Sequence, residues 1–293
     1  MRNLYQEVTE RIAHQLETGV VPWVQPWSTH PGSAMPVNAL TGHRYTGCNV
    51  VLLWMAADRG WPTARFLTLK QANAAGGKVR KGEHGSKVYF VKQLYSKGDT
   101  MRDGKTASGP VTMLREYTVF NVAQCEGLRD SVAIGKEKPV TRVAGERDIV
   151  AEEFVTATGA RIIEAGGSAH YSVRDDLVAM PPFKSFHTVS DYYAVLFHEL
   201  GHWTGAKSRL DRNFAGRFGD AQYAAEELVA ELTSAFLCAE FAIDGVSSSA
   251  GYIADWIKLL RHDSKAFFTA ASAATKAAEY LRSTVIAEQE EAA

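Results

Sequence analysis

The chain has 293 residues, enough for one large domain or two of ordinary size. Hydrophobic residues make up 46 % and charged residues 22 %, and no apolar run could span a bilayer, which excludes disordered and membrane-spanning classes. The net charge of −1 conceals an uneven distribution of charge between the two halves of the chain.

The N-terminal segment predicts an amphipathic helix that ends at Gly19. Its apolar residues recur every four positions, at Leu4, Val8, Ile12 and Leu16. A signal peptide would have a continuous apolar centre, which this segment lacks. The cysteines are widely separated and odd in number, which predicts neither a disulfide framework nor a cysteine zinc site: Cys48, Cys125 and Cys238. Both observations favour a cytoplasmic protein.

The first half of the chain carries the positive charge. Residues 1–130 hold 16 Lys/Arg against 10 Asp/Glu, whereas residues 131–293 hold 16 against 23. Within the first half, residues 65–105 hold 10 basic and 3 acidic residues. This concentration indicates a polyanion partner for the first half.

Single-stranded nucleic-acid sites combine cationic groups that follow phosphates with aromatic rings on which bases stack. Both features occur here, because four of the six tryptophans lie in residues 1–61, close to the basic run. The alternative is a core of tryptophans beneath a solvated basic face. Candidate phosphate contacts are Lys70, Lys78, Arg80, Lys81 and Lys87, and candidate stacking groups are Trp23, Trp27 and Tyr45.

The sequence pattern of this half predicts an α+β fold. A loop over residues 38–49 leads into an apolar helix that ends by Gly60, and residues 115–125 predict a final strand. A connector follows, since residues 126–148 carry glycine, proline and mixed charge without periodicity. We therefore predict an N-terminal α+β domain over 1–130, a linker over 131–146 and a second domain over 147–293.

The second domain predicts a helix, three short strands and then further helices. The expected bounds are 148–158 for the helix, 160–164, 170–172 and 177–180 for the strands, and 263 to about 288 for an alanine-rich final helix. Pro181 and Pro182 end the sheet, and the strand before the next helix is an open edge on which an extended peptide could lie.

That next helix carries HELGH, residues 198–202, with an N-cap candidate at Ser190 and a helix-ending Gly205. Because residues four apart lie on one helix face, His198 and His202 can share a divalent ion, and Glu199 lies beside the water that the ion would hold. Zinc is the expected ion, with Mn2+ or another divalent ion as the alternative. Glu199 is then the general base.

The third ligand is expected from a later helix. A histidine three residues beyond the glycine would give one class of zinc peptidase, but that position is Ser208, so this class is excluded. Residues 221–232 offer three glutamates, and helical phase favours Glu227, with Glu226 and Glu231 as alternatives. Small neighbours such as Ala230 would allow a close approach to the HELGH helix. Glu231 is predicted to orient a histidine N–H.

Other residues are less decided by spacing. His170, His187 and His262 are isolated, which indicates structural positions rather than ligands. Tyr192, Tyr252 and His262 are the candidates for the donor that stabilises a tetrahedral oxyanion. A two-metal nuclease would need a cluster of carboxylates, and the sequence shows none.

The chain resembles the ArdC-type antirestriction proteins of conjugative plasmids over nearly its full length. The N-terminal motifs that carry this resemblance are PWVQPW, NALTGHRYTGCN, GGKVRKGEHGSKVYF and YTVFNVAQCEG. The C-terminal ones are MPPFKSF, YYAVLFHELGHWTGAKSRLDR and EELVAELTSAFLCAE.

The resemblance implies a single-stranded-DNA-binding domain joined to a zincin-like metallopeptidase domain, here of the gluzincin type. It implies protection of incoming plasmid DNA from host restriction, and a protein substrate such as a restriction component or a DNA-bound protein. It places metal roles on His198 and His202 and the general base on Glu199, and it supports a glutamate of EELVAEL without choosing among them. The alternative is a non-proteolytic protein that shields single-stranded DNA and has a structural or vestigial metal site.

Overall fold

A computed structural model describes residues 3–24, 34–57, 60–94, 111–134, 145–212, 220–244 and 251–291. Helices and strands mix throughout, which confirms the predicted α+β class. Within these residues no helix is both long and apolar enough to cross a bilayer. Cys48, Cys125 and Cys238 are unpaired, as the sequence predicts.

The N-terminal half combines small helices with a four-stranded sheet of order β1-β2-β5-β4. Strands β4 and β5 form a long antiparallel pair, whereas β1 runs parallel to β2. The elements are α1 (Leu4–Glu17), β1 (Val37–Asn38), α2 (Cys48–Ala57), β2 (Arg65–Leu67), α3 (Leu69–Ala74), β3 (Lys78–Val79), β4 (Ser86–Leu94), β5 (Val111–Asn121), β6 (Cys125–Glu126) and α4 (Asp130–Ala133).

The C-terminal half has a three-stranded sheet of order β7-β9-β8 and four long helices after it. Strand β9, predicted as an open edge, lies between β7 and β8 and pairs with both, so that prediction was wrong. Strand β8 is an edge strand instead, because it pairs with β9 alone in this sheet. The elements are α5 (Ile149–Ala157), β7 (Ile162–Glu164), β8 (His170–Ser172), β9 (Leu177–Met180), α6 (Val189–Trp203), α7 (Ala221–Glu240), α8 (Ile253–His262) and α9 (Ala266–Glu291).

Most predicted elements are present within a few residues of their expected bounds. The first helix ends at Glu17 with Gly19 at φ +80°, and β8 and β9 match the prediction. Two of the predicted bounds were wrong. The strand expected over 115–125 ends at Asn121, where the Asn121 side chain caps a 3-10 turn. The final helix begins at Ala266, because the chain first forms α8 and a turn.

The largest hydrophobic cluster joins the two halves. It contains Val8 and Ile12 of α1, residues 50–54 of α2, and apolar residues of α7, α8 and α9. Trp23 lies within it, with its ring centroid 5.4 Å from that of Trp256. The linker expected over 131–146 therefore lies between two segments that share one core, and residues 135–144 of it lie outside the described residues.

Candidate metal centre

Helix α6 positions the HELGH segment in its last two turns. Its N-cap is Thr188, whose hydroxyl accepts from the Asp191 N–H while the Asp191 carboxylate accepts from the Thr188 N–H. The N-cap expected at Ser190 was thus wrong by two residues, because Thr188 has the acidic residue three positions on that closes a capping box. The helix ends at Trp203, with Thr204 as C-cap rather than Gly205.

His198 and His202 bring two nitrogens together beside one carboxylate. Their Nε2 atoms are 3.2 Å apart. Glu227 of α7 lies across from both, with Oε2 3.4 Å from His198 Nε2 and Oε1 3.5 Å from His202 Nε2. Two ligand atoms bound at about 2.0–2.1 Å to a tetrahedral ion lie about 3.3 Å apart. The three groups therefore fit a single divalent ion in both donor type and spacing.

Gly201 allows α7 to approach the metal-binding face of α6. A methyl group at Gly201 would meet Ala230 Cα at 3.0 Å and Thr233 Cβ at 3.3 Å. The expected small neighbour, Ala230, is therefore where the two helices touch. This close crossing brings the Glu227 carboxylate within reach of both imidazoles.

The other two glutamates face the far nitrogens of the imidazole rings. Glu231 Oε2 is 3.5 Å from His198 Nδ1, and Glu226 Oε1 is 3.2 Å from His202 Nδ1. In the described chain the group able to hold an ion contains His198, His202 and Glu227 alone. The roles assigned from sequence to Glu227 and Glu231 stay predictions, and Glu226, an alternative ligand there, lies where it can orient His202.

Arg212 holds Glu226 from the outside. Its Nε and Nη2 donate to the two Glu226 oxygens at 3.0 and 2.9 Å, and Nη1 and Nη2 also donate to Thr204 Oγ1 and the Gly201 carbonyl at 2.8 and 2.6 Å. Arg212 was not among the site residues predicted from the sequence. An isolated arginine beyond a helix end has no spacing signal, so only the folded chain reveals this contact.

Trp23 also contacts the centre, contrary to its predicted role as a base-stacking group. Its ring is 2 % exposed, and its Nε1 donates to Glu231 Oε1 at 3.4 Å. The base-stacking prediction for Trp23 is wrong in this structure, because the large apolar ring is packed against Trp256 and Phe267 and offers no free face.

The buried charges of the centre perturb one another. Burial lowers the pKa of His198, but contacts with Glu227 and Glu231 outweigh it and raise the pKa to about 10. Burial raises the pKa of Glu227, but the two imidazoles lower it by more than burial raises it. The pKa of Glu227 therefore lies below its usual value. The pKa of Glu226 is also lowered, with His202 and Arg212 outweighing burial. The carboxylates thus stay ionised and attract positive charge.

A cleft of about 300 Å³ opens over these residues, and it is lined in part by Glu199, which is 8 % exposed. Tyr252 lines it, with its hydroxyl 3.2 Å from that of Tyr223. Tyr223, which hydrogen-bonds Glu227, was not among the site residues predicted from the sequence. Its signal was available, since Tyr223 and Glu227 are four apart on one helix face.

Two other candidates for the oxyanion donor lie elsewhere, so those expectations were wrong. Tyr192 is buried, and its hydroxyl is bonded to Glu164 at 2.8 Å and Arg147 at 3.1 Å. His262 borders a separate cavity beside α1. His170 and His187 are also absent from the metal-binding group of the described residues, although His170 lines the cleft.

The predicted phosphate contacts are all exposed in the N-terminal half, but three of them are paired with carboxylates. The pairs are Lys78–Glu126 at 3.1 Å, Arg80–Glu83 at 2.7 Å and Lys87–Glu116 at 2.8 Å. Lys70 and Lys81 show no ion pair with a described residue. Tyr45 is 7 % exposed against Phe66, so the prediction that it stacks on bases is wrong here, and Trp27 lies outside the described residues.

Two family profiles match the chain. Residues 2–120 match one described as the N-terminal domain of anti-restriction factor ArdC. Residues 150–273 match one described as a zincin-like metallopeptidase.

Relatives extend these matches over the whole chain. Uncharacterized protein y4eC of Sinorhizobium fredii (strain NBRC 101917 / NGR234) is 40 % identical over 95 % of this chain and 91 % of its own length. DNA primase TraC of Escherichia coli is 38 % identical over 94 % of this chain, which spans 27 % of the primase.

Solved structures agree with the sequence matches. The metal-free crystal structure of the antirestriction ArdC protein from plasmid R388 gives a TM-score of 0.83 at 36 % identity, covering 98 % of this chain and 99 % of that one. The Mn(II)-bound structure of the same protein gives 0.79 at 36 % identity, covering 97 % and 98 %.

Proposed function

The chain belongs to the ArdC antirestriction family, and we propose that it is a metal-dependent peptidase that binds single-stranded DNA and protects incoming conjugative plasmid DNA from host restriction. The observation that carries the peptidase proposal is the convergence of His198, His202 and Glu227 next to Glu199 in an open cleft. A purely structural ion would have no need of the Glu199 carboxylate.

We propose that His198 Nε2, His202 Nε2 and a Glu227 oxygen hold a zinc ion. Two imidazoles and one carboxylate form a common ligand set of catalytic zinc, which leaves a coordination position open. The Mn(II)-bound R388 relative supports manganese as the alternative. A divalent ion held here would lower the pKa of a bound water and polarise a carbonyl oxygen.

The protein groups around this position have distinct proposed roles. Glu199 takes the proton of the attacking water and passes it to the leaving amine. Tyr252 donates its hydroxyl to the oxygen on which negative charge develops. Glu226 orients the His202 ring from its far nitrogen at 3.2 Å. Glu231 faces the far nitrogen of His198 at 3.5 Å, a contact without hydrogen-bond geometry that acts through charge.

The substrate of this chemistry is proposed to be a protein segment in extended conformation. Strand β8 is the edge of its sheet, and His170 and Tyr171 of β8 line the metal cleft. An extended peptide could therefore add to the sheet by main-chain hydrogen bonds and pass over the ion. A restriction component or a DNA-bound protein is the proposed source of this segment.

The N-terminal half is proposed to bring the peptidase to single-stranded DNA. The match of residues 2–120 to the N-terminal domain of ArdC supports this role, and the TraC relative is a DNA primase. Such binding needs exposed cations that can contact the phosphates of the strand.

The substitution Glu199→Gln tests the peptidase proposal. It removes the general base while keeping the side chain's size and leaving the three proposed ligands in place. We expect protection of plasmid DNA, measured as transfer into restriction-proficient recipients, to fall to the level without the protein. Metal content and affinity for single-stranded DNA should stay unchanged.

Glu153→Gln provides the control, since it makes the same change on the exposed face of α5 and should protect fully. If Glu199→Gln protects as well as the unchanged protein, the peptidase proposal fails. The chain would then act by shielding the DNA strand.

A further inference from the structure

A second cleft, of about 700 Å³, lies between strand β4 and helix α9 and is lined by residues from both halves of the chain. We infer that single-stranded DNA binds in this cleft. The inference rests on the DNA-binding part of the proposed function and adds the location. That location differs from the basic run of residues 65–105 that the sequence indicated.

The charge of the cleft matches a phosphate backbone. Its charged lining residues are Lys265, Lys276 and Arg212, of which Arg212 is already paired with Glu226, and no carboxylate lines the cleft among the described residues. Lys265 and Lys276 are exposed and form no ion pair with a described residue. In the basic run, Lys78, Arg80 and Lys87 are paired with glutamates, whereas Lys70 and Lys81 have no ion pair with a described residue. Lys265 Nζ lies 5.5 Å from the centroid of the Tyr5 ring, a contact that leaves its positive charge in place. Either lysine can therefore contact a phosphate without first losing an ion-pair partner.

Aromatic rings line both walls of the cleft. Phe90 of β4 is 44 % exposed, although a ring of this size is ordinarily buried. On the opposite wall, Phe268 of α9 packs edge-on against Tyr5 with ring centroids 4.7 Å apart. Bases stack on such faces whatever their identity, which suits binding that does not depend on sequence.

The helix wall provides a run of suitable length. Lys265 and Lys276 are separated by 11 residues, about 17 Å along a helix axis at about 1.5 Å per residue. Thr269 and Ser272 lie between them on the cleft side and offer hydroxyl groups rather than bulk. This length spans several phosphates of one strand.

The cleft adjoins the metal centre through Arg212. The arginine lines the DNA cleft, and its guanidinium holds Glu226, which lines the metal cleft. A strand lying on Lys265 and Lys276 would therefore pass beside the peptidase residues. A protein bound to that strand would be presented to Glu199.

The test is binding of a fluorescein-labelled oligo(dT) to the full chain, followed by fluorescence anisotropy over a range of salt concentrations. For Lys265→Ala/Lys276→Ala we expect weaker binding and a plot of log K against log salt that is shallower by about 1.4, at about 0.7 per phosphate contact. For Phe90→Ala we expect affinity to fall by about 5- to 150-fold, the loss of one stacked base.

Lys70→Ala/Lys81→Ala is the matched control, because it removes two exposed cations from the basic run and should leave the salt slope unchanged. Phe90→Leu keeps apolar bulk but removes the ring, so it reproduces the loss even if Phe90→Ala alters the fold. Cleft variants that bind like the unchanged chain would overturn the inference. If Lys70→Ala/Lys81→Ala alone flattens the slope, DNA lies on the basic run and only the location is wrong. If the unchanged chain binds no oligo(dT), the DNA-binding proposal and this inference both fail.

Discussion

At the scale of single residues, each imidazole of the centre has a carboxylate on both ring nitrogens. His198 lies between Glu227 and Glu231, and His202 between Glu227 and Glu226. A carboxylate on the far nitrogen fixes the ring orientation and the tautomer, and raises the basicity of the nitrogen that faces an ion. Arg212 in turn holds Glu226 with a bidentate pair, so the order of the centre extends three contacts outward.

Arg212→Ala is expected to lower metal affinity by about 10- to 100-fold, the usual cost of losing an outer contact of a metal site. Without its bidentate partner the partly buried Glu226 carboxylate no longer holds the His202 ring in place. The affinity is measured by competition with a chromophoric chelator. Arg212→Lys should restore part of it, since a single ammonium cannot match the planar fork of arginine.

Arg261→Ala is the control for Arg212, because it removes a cation that pairs with Glu17 on the surface at 2.7 Å. Its metal affinity should equal that of the unchanged chain. An equal loss in both variants, or no loss in either, would show that Arg212 does not position the centre.

At the scale of elements, the geometry of the proposed metal site depends on how closely α6 and α7 cross. Gly201 and Ala230 meet at the contact, and Ser234 of α7 donates to the Ala194 carbonyl of α6 at 2.7 Å. Larger side chains would separate the helix axes, since interiors are close-packed and cannot absorb a methyl group freely. The reach of a glutamate side chain is short, so the ligand geometry depends on this small-residue contact.

Gly201→Ala should lower metal affinity on the order of tenfold, because the new methyl group pushes Ala230, and Glu227 with it, away from the imidazoles. The helix itself gains about 1 kcal/mol from the replacement of glycine, so the melting temperature should change less than the affinity. Calorimetric titration with zinc and thermal unfolding measure the two effects.

Gly167→Ala supplies the comparison, since its added methyl group would meet no atom within 4 Å. That variant should bind zinc normally. Unchanged zinc affinity in Gly201→Ala would mean that α7 tolerates the displacement, and the proposed dependence on close crossing would be wrong.

At the scale of the whole molecule, the two sequence-matched halves share one core. Trp23 packs on Trp256 and Phe267, and Thr9 of α1 donates to the Ser264 carbonyl at 2.7 Å. Val8 and Ile12 are fully buried in the same cluster. Burying one such side chain stabilises a protein by about 1.5–3 kcal/mol. Several of them together equal the usual stability of a domain, about 5–15 kcal/mol.

A fragment of residues 147–293 alone is therefore expected to lose most of its stability and to expose Trp256 and Phe267. It should bind the dye ANS and unfold over a broad temperature range, whereas the full chain unfolds in one transition. Addition of residues 1–130 should restore part of the signal. A fragment that melts cooperatively at the same temperature as the full chain would refute the shared core.

Local patterns in the sequence determined the secondary elements and the nature of the chemistry. The four-residue apolar repeat predicts α1, and the spacing of His198 and His202 predicts a shared metal face, because a helix repeats every 3.6 residues whatever surrounds it. The same phase argument favours Glu227 over its neighbours. These features depend on residues within a few turns of one another.

Only the tertiary structure decided which distant residues meet. Trp23 and Tyr45 are residue types suited to base stacking, yet both lie in the core. Burial of a large aromatic ring among apolar side chains is favourable, and the sequence position of a ring does not show whether it is buried. Arg212, Trp23 and Tyr223 reach the candidate metal centre from three separate segments, and Lys265 and Lys276 line the same cleft as Phe90 of β4. Contacts between segments far apart in the chain follow from how α1, α7 and α9 pack, and no local spacing encodes that packing.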